Sequence, residues 1–218
     1  MVININQICE ILKNKYPDAH CALNFKNGFE LLIAARLSAQ CKDERVNLVT
    51  KNLFKKFPDI NSMANADIYE LENIIKPCGL FRTKSQNLKN MAIILKKEFD
   101  SKIPYGLENL QKLPGIGRKT ANLIMSEIFS EPAIIVDTHV SRITKKIGLH
   151  NQNNAFEIEI ILQKIIKKNN WSNFCHCLVY HGRNCCIARK PKCEICCIKK
   201  YCKFYSEKTN DEKKSKKT

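Results

Sequence analysis

Apolar residues recur at helical spacing along nearly the whole chain, and this periodicity limits the folds that the chain can adopt. Val46, Val49 and Leu53 follow one such rhythm until Pro58 interrupts it. The only β-like triplet is Ile134–Val136, and we expect extended chain there rather than a sheet, because the triplet runs straight into a helix start. The pattern therefore predicts an all-α protein.

Length and composition set broad limits on the class of protein. The chain has 218 residues, 44% hydrophobic and 27% charged, with only 7 Gly and 7 Pro. This composition excludes disordered and collagen-like proteins and predicts a globular chain. No apolar run approaches the ~20 residues that cross a bilayer, and the first segment lacks the features of a secretion signal. We therefore expect a soluble cytoplasmic protein without membrane contact.

The charge balance favours a polyanionic partner. Lys and Arg number 37 against 21 Asp and Glu, a formal net charge of +16. A field of that sign attracts nucleic acid, although the excess of Lys over Arg is also typical of an A+T-rich genome. Residues 203–218 form a basic tail that we expect to be disordered.

Eight of the 12 cysteines lie between residues 175 and 202. Disulfides are rare inside the cell, so this density indicates a metal site. From Cys186 the spacing is C-x6-C-x2-C-x5-C, through Cys193, Cys196 and Cys202. Zinc sites usually contain two closely spaced pairs, whereas a single C-x2-C with wider gaps favours an iron–sulfur cluster, with zinc as the rival. The neighbouring Cys185 and Cys197 could each replace a ligand, so spacing alone leaves the register open.

A glycine-rich hairpin is predicted at residues 107–129. Pro114 ends a short helix, and a second helix starts near Arg118. Gly115 and Gly117 allow positive φ and let backbone N–H groups approach a ligand. Such groups at a helix start suit a phosphate, although an ordinary tight turn would have the same sequence.

Lys119 and Asp137 are the candidate catalytic residues. Lys119 lies in the first turn of the second hairpin helix, where the helix dipole and Arg118 oppose an ammonium and favour the free amine that a nucleophile needs. Asp137 precedes a helix, so its simplest role is that of an N-cap. A carboxylate in that position can also stabilise a cation or move a proton.

Five segments together resemble the endonuclease III family of helix-hairpin-helix DNA glycosylases with AP-lyase activity. In chain order they read RLSAQCKD, CGLFRTKSQN, LPGIGRKTAN, IVDTHVSRI and HGRNCCIARKPKCEICCIKKYC. The resemblance runs from about residue 25 to 203. It implies a six-helix barrel domain at about 21–131, which contains the hairpin, and a second helical domain of residues 1–20 and 132–202. The second domain would carry a C-terminal [4Fe–4S] loop, and DNA would bind in the cleft between the two.

The resemblance also assigns roles by motif position. Lys119 would be the catalytic lysine and Asp137 the catalytic aspartate, while Gln40 and Leu80 would fill the gap left by an extruded base. The cluster ligands would be Cys186, Cys193, Cys196 and Cys202, which resolves the register. DNA contacts are further expected from the hairpin and from the basic cluster loop, at Gly115, Gly117, Arg118, Lys190 and Lys192.

The expected activity is a bifunctional one on double-stranded DNA. Relatives that excise adenine lack a lysine at the position of Lys119, so we expect a monomeric bacterial enzyme that removes oxidised pyrimidines and cleaves abasic sites. Two alternatives belong to other classes: a non-catalytic DNA-binding protein that only grips the backbone, and a zinc-stabilised adapter.

Overall fold

The structure is a computed structural model that describes the backbone of residues 4–215 and the side chains of residues 4–210. These residues form twelve α-helices joined by short loops and 3-10 turns, with no strand among them, which confirms the all-α prediction. The helices are α1 (Ile5–Lys15), α2 (Gly28–Leu37), α3 (Asp43–Lys56), α4 (Ile60–Ala64), α5 (Ile68–Ile75), α6 (Phe81–Glu98), α7 (Leu107–Gln111), α8 (Arg118–Phe129), α9 (Thr138–Ile147), α10 (Ala155–Ile165), α11 (Trp171–Asn184) and α12 (Lys203–Ser215).

The chain divides into two compact units. The central unit is Cys21–Glu131, and the terminal unit combines Met1–His20 with Pro132–Thr218. No helix in the described part of the chain is long and apolar enough to cross a membrane.

The central unit is built around α2. Eight of its residues are buried, so this helix is covered on all sides, as its sequence GFELLIAARL requires. Helices α3, α6 and α8 pack against it, and α4 and α5 pack against α6. The unit contains seven α-helices, α2 to α8. Separate aspartate caps start α4 and α5: Asp59 accepts from Ser62 N–H at 2.7 Å, and Asp67 accepts from Glu70 N–H at 2.9 Å.

The terminal unit is built around α11, which packs against α1 and α9. Gly182 allows the close approach to α9, since a Cβ at that position would meet the His139 ring and lie 3.1 Å from Ile143 Cδ1. Helix α11 continues two residues beyond this glycine and ends at Asn184.

The segment before α9 is extended, as predicted. Its residues Ala133–Val136 are buried, so their backbone groups need partners within the unit. Ser172 Oγ accepts from Ala133 N–H at 3.1 Å, and Cys175 Sγ accepts from Ile135 N–H at 3.3 Å. Helix α11 thereby holds the extended segment in place and delivers Asp137 to the start of α9.

The prediction of a disordered tail is wrong for residues 203–215, which form α12. Two contacts explain the order at the start of this helix: the Lys146 ammonium lies 4.2 Å from the centre of the Phe204 ring, and Tyr205 O–H donates to Glu194 Oε2 at 3.3 Å. Lys203 also pairs with Glu207 at 3.7 Å one turn later. Residues 216–218 of the predicted tail lie outside the described residues.

Candidate functional site

The predicted hairpin is present in the central unit as α7, a tight turn and α8. Leu113 and Ile116 are buried and anchor the turn to the core, whereas Gly115 and Gly117 are exposed. Gly115 has φ 77°, a conformation that favours glycine. The turn therefore presents bare backbone at the surface.

Arg36 supports this turn from α2. A Cβ on Gly115 would run into the Arg36 guanidinium, so the two groups are already in close contact. With its amide oxygen turned toward the guanidinium, Asn87 accepts from Arg36 Nη2 at 2.7 Å and from Nε at 3.1 Å. Sequence reasoning missed Arg36 and Asn87, because each lies within an ordinary helical repeat.

Lys119 lies exposed in the first turn of α8, and Thr120 beside it is half-buried. The N-cap of this helix is Gly117, which offers no side chain to the N–H groups of the first turn, and the first turn carries no acidic residue. Lys119 and these backbone donors thus belong to the same helix start, which suits an anionic ligand.

Gln40 and Leu80 are exposed in two loops of the central unit, and both have a left-handed backbone. Their φ angles are 55° and 48°, which is uncommon for residues other than glycine, asparagine and aspartate. Leu80 remains 58% exposed. An apolar side chain held outward in an unfavourable backbone conformation is not a core residue.

Asp137, in the terminal unit, is the N-cap of α9. Its Oδ1 accepts from Val140 N–H at 2.7 Å, and the residue is half-buried. The N-cap prediction is confirmed, whereas the catalytic role stays a prediction.

The four predicted ligands line one cavity of the terminal unit. Cys186, Cys193, Cys196 and Cys202 share it with Cys185, and no acidic residue lines it within the described part of the chain. Burial raises the pKa of the Cys186, Cys196 and Cys202 thiols, so they are protonated unless a metal binds. A thiol-only donor set around one cavity fits an iron–sulfur cluster.

Cys185 is also close to this set. It is buried, its thiol donates to the Lys192 carbonyl at 3.5 Å, and the ligand atoms of His181, Cys185 and Cys196 lie within 4.8 Å of one another. Geometry alone therefore leaves Cys185 as a rival ligand.

Three further residues surround the cysteines and were missed from the sequence. His181 is buried, with Nε2 3.5 Å from Cys196 Sγ and Nδ1 3.0 Å from Tyr16 Oη. Burial, with a smaller contribution from Arg142, lowers the pKa of His181 to about 4, so the ring is neutral. Arg142 donates to the Cys186 carbonyl at 2.9 Å and ties the loop to α9.

Lys190 and Lys192 are exposed on the loop between the first two ligands. The loop folds back where Lys192 N–H donates to the Cys185 carbonyl at 2.9 Å. Both side chains are available to a partner in solution.

Comparisons with known proteins identify the family. Residues 33–168 match the HhH-GPD superfamily of base excision DNA repair proteins, and residues 186–202 match the iron–sulfur binding domain of endonuclease III. Endonuclease III of Synechocystis is 42% identical over 197 residues, which cover 90% of each chain. The chain belongs to the endonuclease III family. Endonuclease III of Bacillus subtilis is 37% identical over 206 residues, 93% of this chain and 94% of that protein.

Solved structures of endonuclease III share the fold. A non-covalent endonuclease III–DNA complex matches with a TM-score of 0.90 and 39% identity, over 94% of this chain and 97% of that one. A trapped endonuclease III–DNA covalent intermediate also has a TM-score of 0.90, at 38% identity over 96% and 99% of the two chains. A thermostable thymine-DNA glycosylase, at 20% identity and a TM-score of 0.83, shows the same fold over 93% of this chain and 96% of that one.

Family membership decides between the function classes. The chain is a base excision repair enzyme, a DNA glycosylase with AP-lyase activity, and it carries an iron–sulfur binding loop. The non-catalytic and zinc-adapter alternatives are not favoured. The iron–sulfur match begins at Cys186 and ends at Cys202, which supports the C-x6-C-x2-C-x5-C register over one that uses Cys185.

Proposed function

We propose that this endonuclease III family enzyme removes oxidised pyrimidines from duplex DNA with Lys119 as its nucleophile. The amine attacks C1′ of the damaged nucleotide, and the bond from C1′ to the base breaks, with the electron pair leaving on the base. The sugar ring opens to a Schiff base. Loss of a C2′ proton then expels the 3′ phosphate by β-elimination, which cleaves the strand.

The position of Lys119 is the observation that carries this proposal. Lys119 follows directly after a turn of bare backbone, in the first turn of a helix whose N–H groups have no side-chain cap. Phosphates bind readily at such a helix start, so DNA held there would bring its backbone to the lysine. The likeness to a trapped endonuclease III–DNA covalent intermediate favours a nucleophile here over a lysine that only binds phosphate.

Asp137 is proposed to assist the chemistry while it caps α9. Oδ1 is engaged by Val140 N–H, and the half-buried carboxylate retains a second oxygen. That oxygen would stabilise the cationic character that develops at C1′ and accept or return a proton.

DNA binding is proposed to use two surfaces. In the central unit, Gly115, Gly117 and Arg118 would contact phosphates, while Gln40 and Leu80 would fill the space of the extruded base. In the terminal unit, Lys190 and Lys192 would contact the backbone. The enzyme would act as a monomer on the DNA of a bacterial cytoplasm, in keeping with the bacterial relatives.

The cluster is proposed to stabilise the DNA-binding surface of the terminal unit, which carries Lys190 and Lys192. Cys186, Cys193, Cys196 and Cys202 would hold a [4Fe–4S] cluster, with Arg142 and His181 fixing the loop around it. When bound, the cluster cross-links residues 186 to 202 covalently and so fixes the shape of the basic loop.

Borohydride trapping tests the nucleophile. Reduction converts the transient imine into a stable amine, so the parent enzyme should form a covalent adduct with duplexes that carry oxidised pyrimidines or abasic sites. Lys119→Gln should form none, yet bind damaged DNA within a few fold, because one charge among many phosphate contacts contributes little. Lys112→Gln removes another lysine of the hairpin, an exposed one, and should still be trapped.

Two results would contradict the proposal. Undiminished trapping in Lys119→Gln would move the nucleophile to another residue. Excision of alkylated or mismatched bases in preference to oxidised pyrimidines would overturn the substrate class but leave the lysine chemistry intact.

A further inference from the structure

Lys84 is a buried cation whose contacts connect two distant loops. It lies in α6 with none of its surface exposed. Its ammonium donates to the Leu37 carbonyl at 2.8 Å and to the Cys78 carbonyl at 2.8 Å. Burial lowers the pKa of Lys84, because an ammonium in the core loses its hydration.

Both acceptors stand at the base of loops with a proposed DNA role. Leu37 is the last residue of α2, and the chain then turns through Gln40. Cys78 ends the 3-10 turn Lys76–Cys78, and Leu80 follows two residues later. One ammonium therefore holds the start of the Gln40 loop and the start of the Leu80 loop at a fixed separation.

The same two loops also approach each other at two cysteines. Burial first, and the nearby Cys41 thiol second, raise the pKa of Cys78 to about 11, and Cys41 directly follows Gln40. The loops therefore lie close together on both sides of Gln40. Such ties help to explain how Gln40 and Leu80 both keep left-handed backbones, which residues of their kind adopt only when the surroundings impose them.

The lysine at this position connects two backbone acceptors and does more than fill space. An apolar side chain of similar length would avoid the loss of hydration, but it would leave both carbonyls without this buried donor. What an apolar residue would lose is the pair of hydrogen bonds to Leu37 and Cys78, and with them the fixed distance between the loops.

We propose that Lys84 is a positioning residue for base extrusion. It holds Gln40 and Leu80 at the separation at which both side chains can enter the duplex together. This inference rests on the proposed role of those two side chains. Lys84 does not touch the DNA. Its effect reaches the reaction through the two loops, so its loss should impair extrusion far more than the chemistry at C1′.

The test compares Lys84→Met with Lys89→Met in single-turnover assays. Lys89 provides a matched control, because it lies on the same helix and donates to a backbone carbonyl, that of Ala66, at 2.8 Å. Lys84→Met should slow excision of a damaged base from duplex by about tenfold or more, since small misplacements of positioning groups have large kinetic effects. It should slow strand cleavage at a preformed abasic site much less, because less must be extruded. Lys89→Met should not slow excision from duplex more than it slows cleavage at a preformed abasic site.

A fluorescence measurement reports extrusion directly. A 2-aminopurine placed beside the lesion brightens when it loses its stacking, so Lys84→Met should reduce the amplitude of that rise at saturating enzyme. Thermal melts of both variants show whether they fold. If Lys84→Met does not fold, Lys84→Gln, which keeps an N–H donor on a shorter chain, replaces it in the same comparison.

The variant Leu80→Ala distinguishes a failure of this inference from a failure of the proposed role of Gln40 and Leu80. If Leu80→Ala does not slow excision selectively, the proposed role of the loops is wrong and the inference falls with it. If Leu80→Ala is selective but a folded Lys84 variant slows both substrates equally, only the role of Lys84 is overturned. If both are selective, Lys84→Met should add little further loss in the Leu80→Ala background, and full additivity would contradict positioning through Leu80.

Discussion

Oδ1 of Asp137 accepts a 2.7 Å hydrogen bond from Val140 N–H, so the proposed catalytic carboxylate is also the cap of a ten-residue helix. The cap explains why a short polar residue is needed at this position, but it does not require an ionised one. Asparagine caps a helix about as well as aspartate. The two roles can therefore be separated by one substitution.

Asp137→Asn should keep the melting temperature and the iron content of the parent. Its turnover should fall by about 10²-fold or more, the usual contribution of a group that moves protons. Single-turnover kinetics together with a thermal melt measure both effects. Parental turnover would mean that Asp137 serves only as the cap, whereas Asp137→Ala should lower stability as well, by about 1 kcal/mol.

The cysteine register is tested by one pair of substitutions. Cys196→Ser should lose visible absorbance and bound iron, because a cluster does not tolerate the loss of a thiolate ligand. Cys185→Ser should keep both, although its sulfur lies near Cys196 in the same cavity. Bleaching of Cys185→Ser would show that the register begins one residue earlier, and stoichiometric zinc without iron in the parent would remove the cluster.

The contribution of Lys190 and Lys192 to DNA binding should be measurable in the salt dependence of the affinity. Replacing both Lys190 and Lys192 by Gln should flatten the slope of log affinity against log salt, by roughly 0.9 for each phosphate that is no longer neutralised. Replacing the exposed Lys167 and Lys168 removes the same charge elsewhere in the terminal unit and should leave the slope nearly unchanged. Equal slopes in all three proteins would mean that the cluster loop does not bind DNA. Fluorescence anisotropy with an undamaged duplex at several salt concentrations gives these slopes.

Substitutions of the two hairpin glycines should differ in their effects on stability and on DNA affinity. Gly115→Ala places a Cβ against Arg36 at a φ of 77°, so it should lower stability by about 1–2 kcal/mol and weaken binding to any duplex. Gly117 has φ −92°, and a Cβ added there would have no described atom within 4 Å, so Gly117→Ala should fold like the parent. Any loss of DNA affinity in Gly117→Ala then reports close approach of a phosphate to that backbone. Normal stability in Gly115→Ala would contradict the contact with Arg36.

Much of the fold could be predicted because its determinants are local in the chain. Helical periodicity and the Asp137 cap each involve residues within about one helical turn, and both appear where the sequence placed them. The α12 helix was missed for the opposite reason. Its composition is that of a disordered tail, and only contacts such as the one between Phe204 and Lys146 show what orders its first turn.

The sequence by itself determined the helical class, the hairpin, the candidate Lys119 and Asp137, and the spacing of four thiols, since each depends on residue types at short separations. Only the tertiary structure decided which side chains support these groups. Lys84 meets the Leu37 carbonyl across 47 positions of sequence, and Tyr16 meets His181 across 165. Such pairs leave no periodic signal, because each partner also fits an ordinary helix. Their role becomes visible only when packing brings a buried donor to the acceptor that it satisfies.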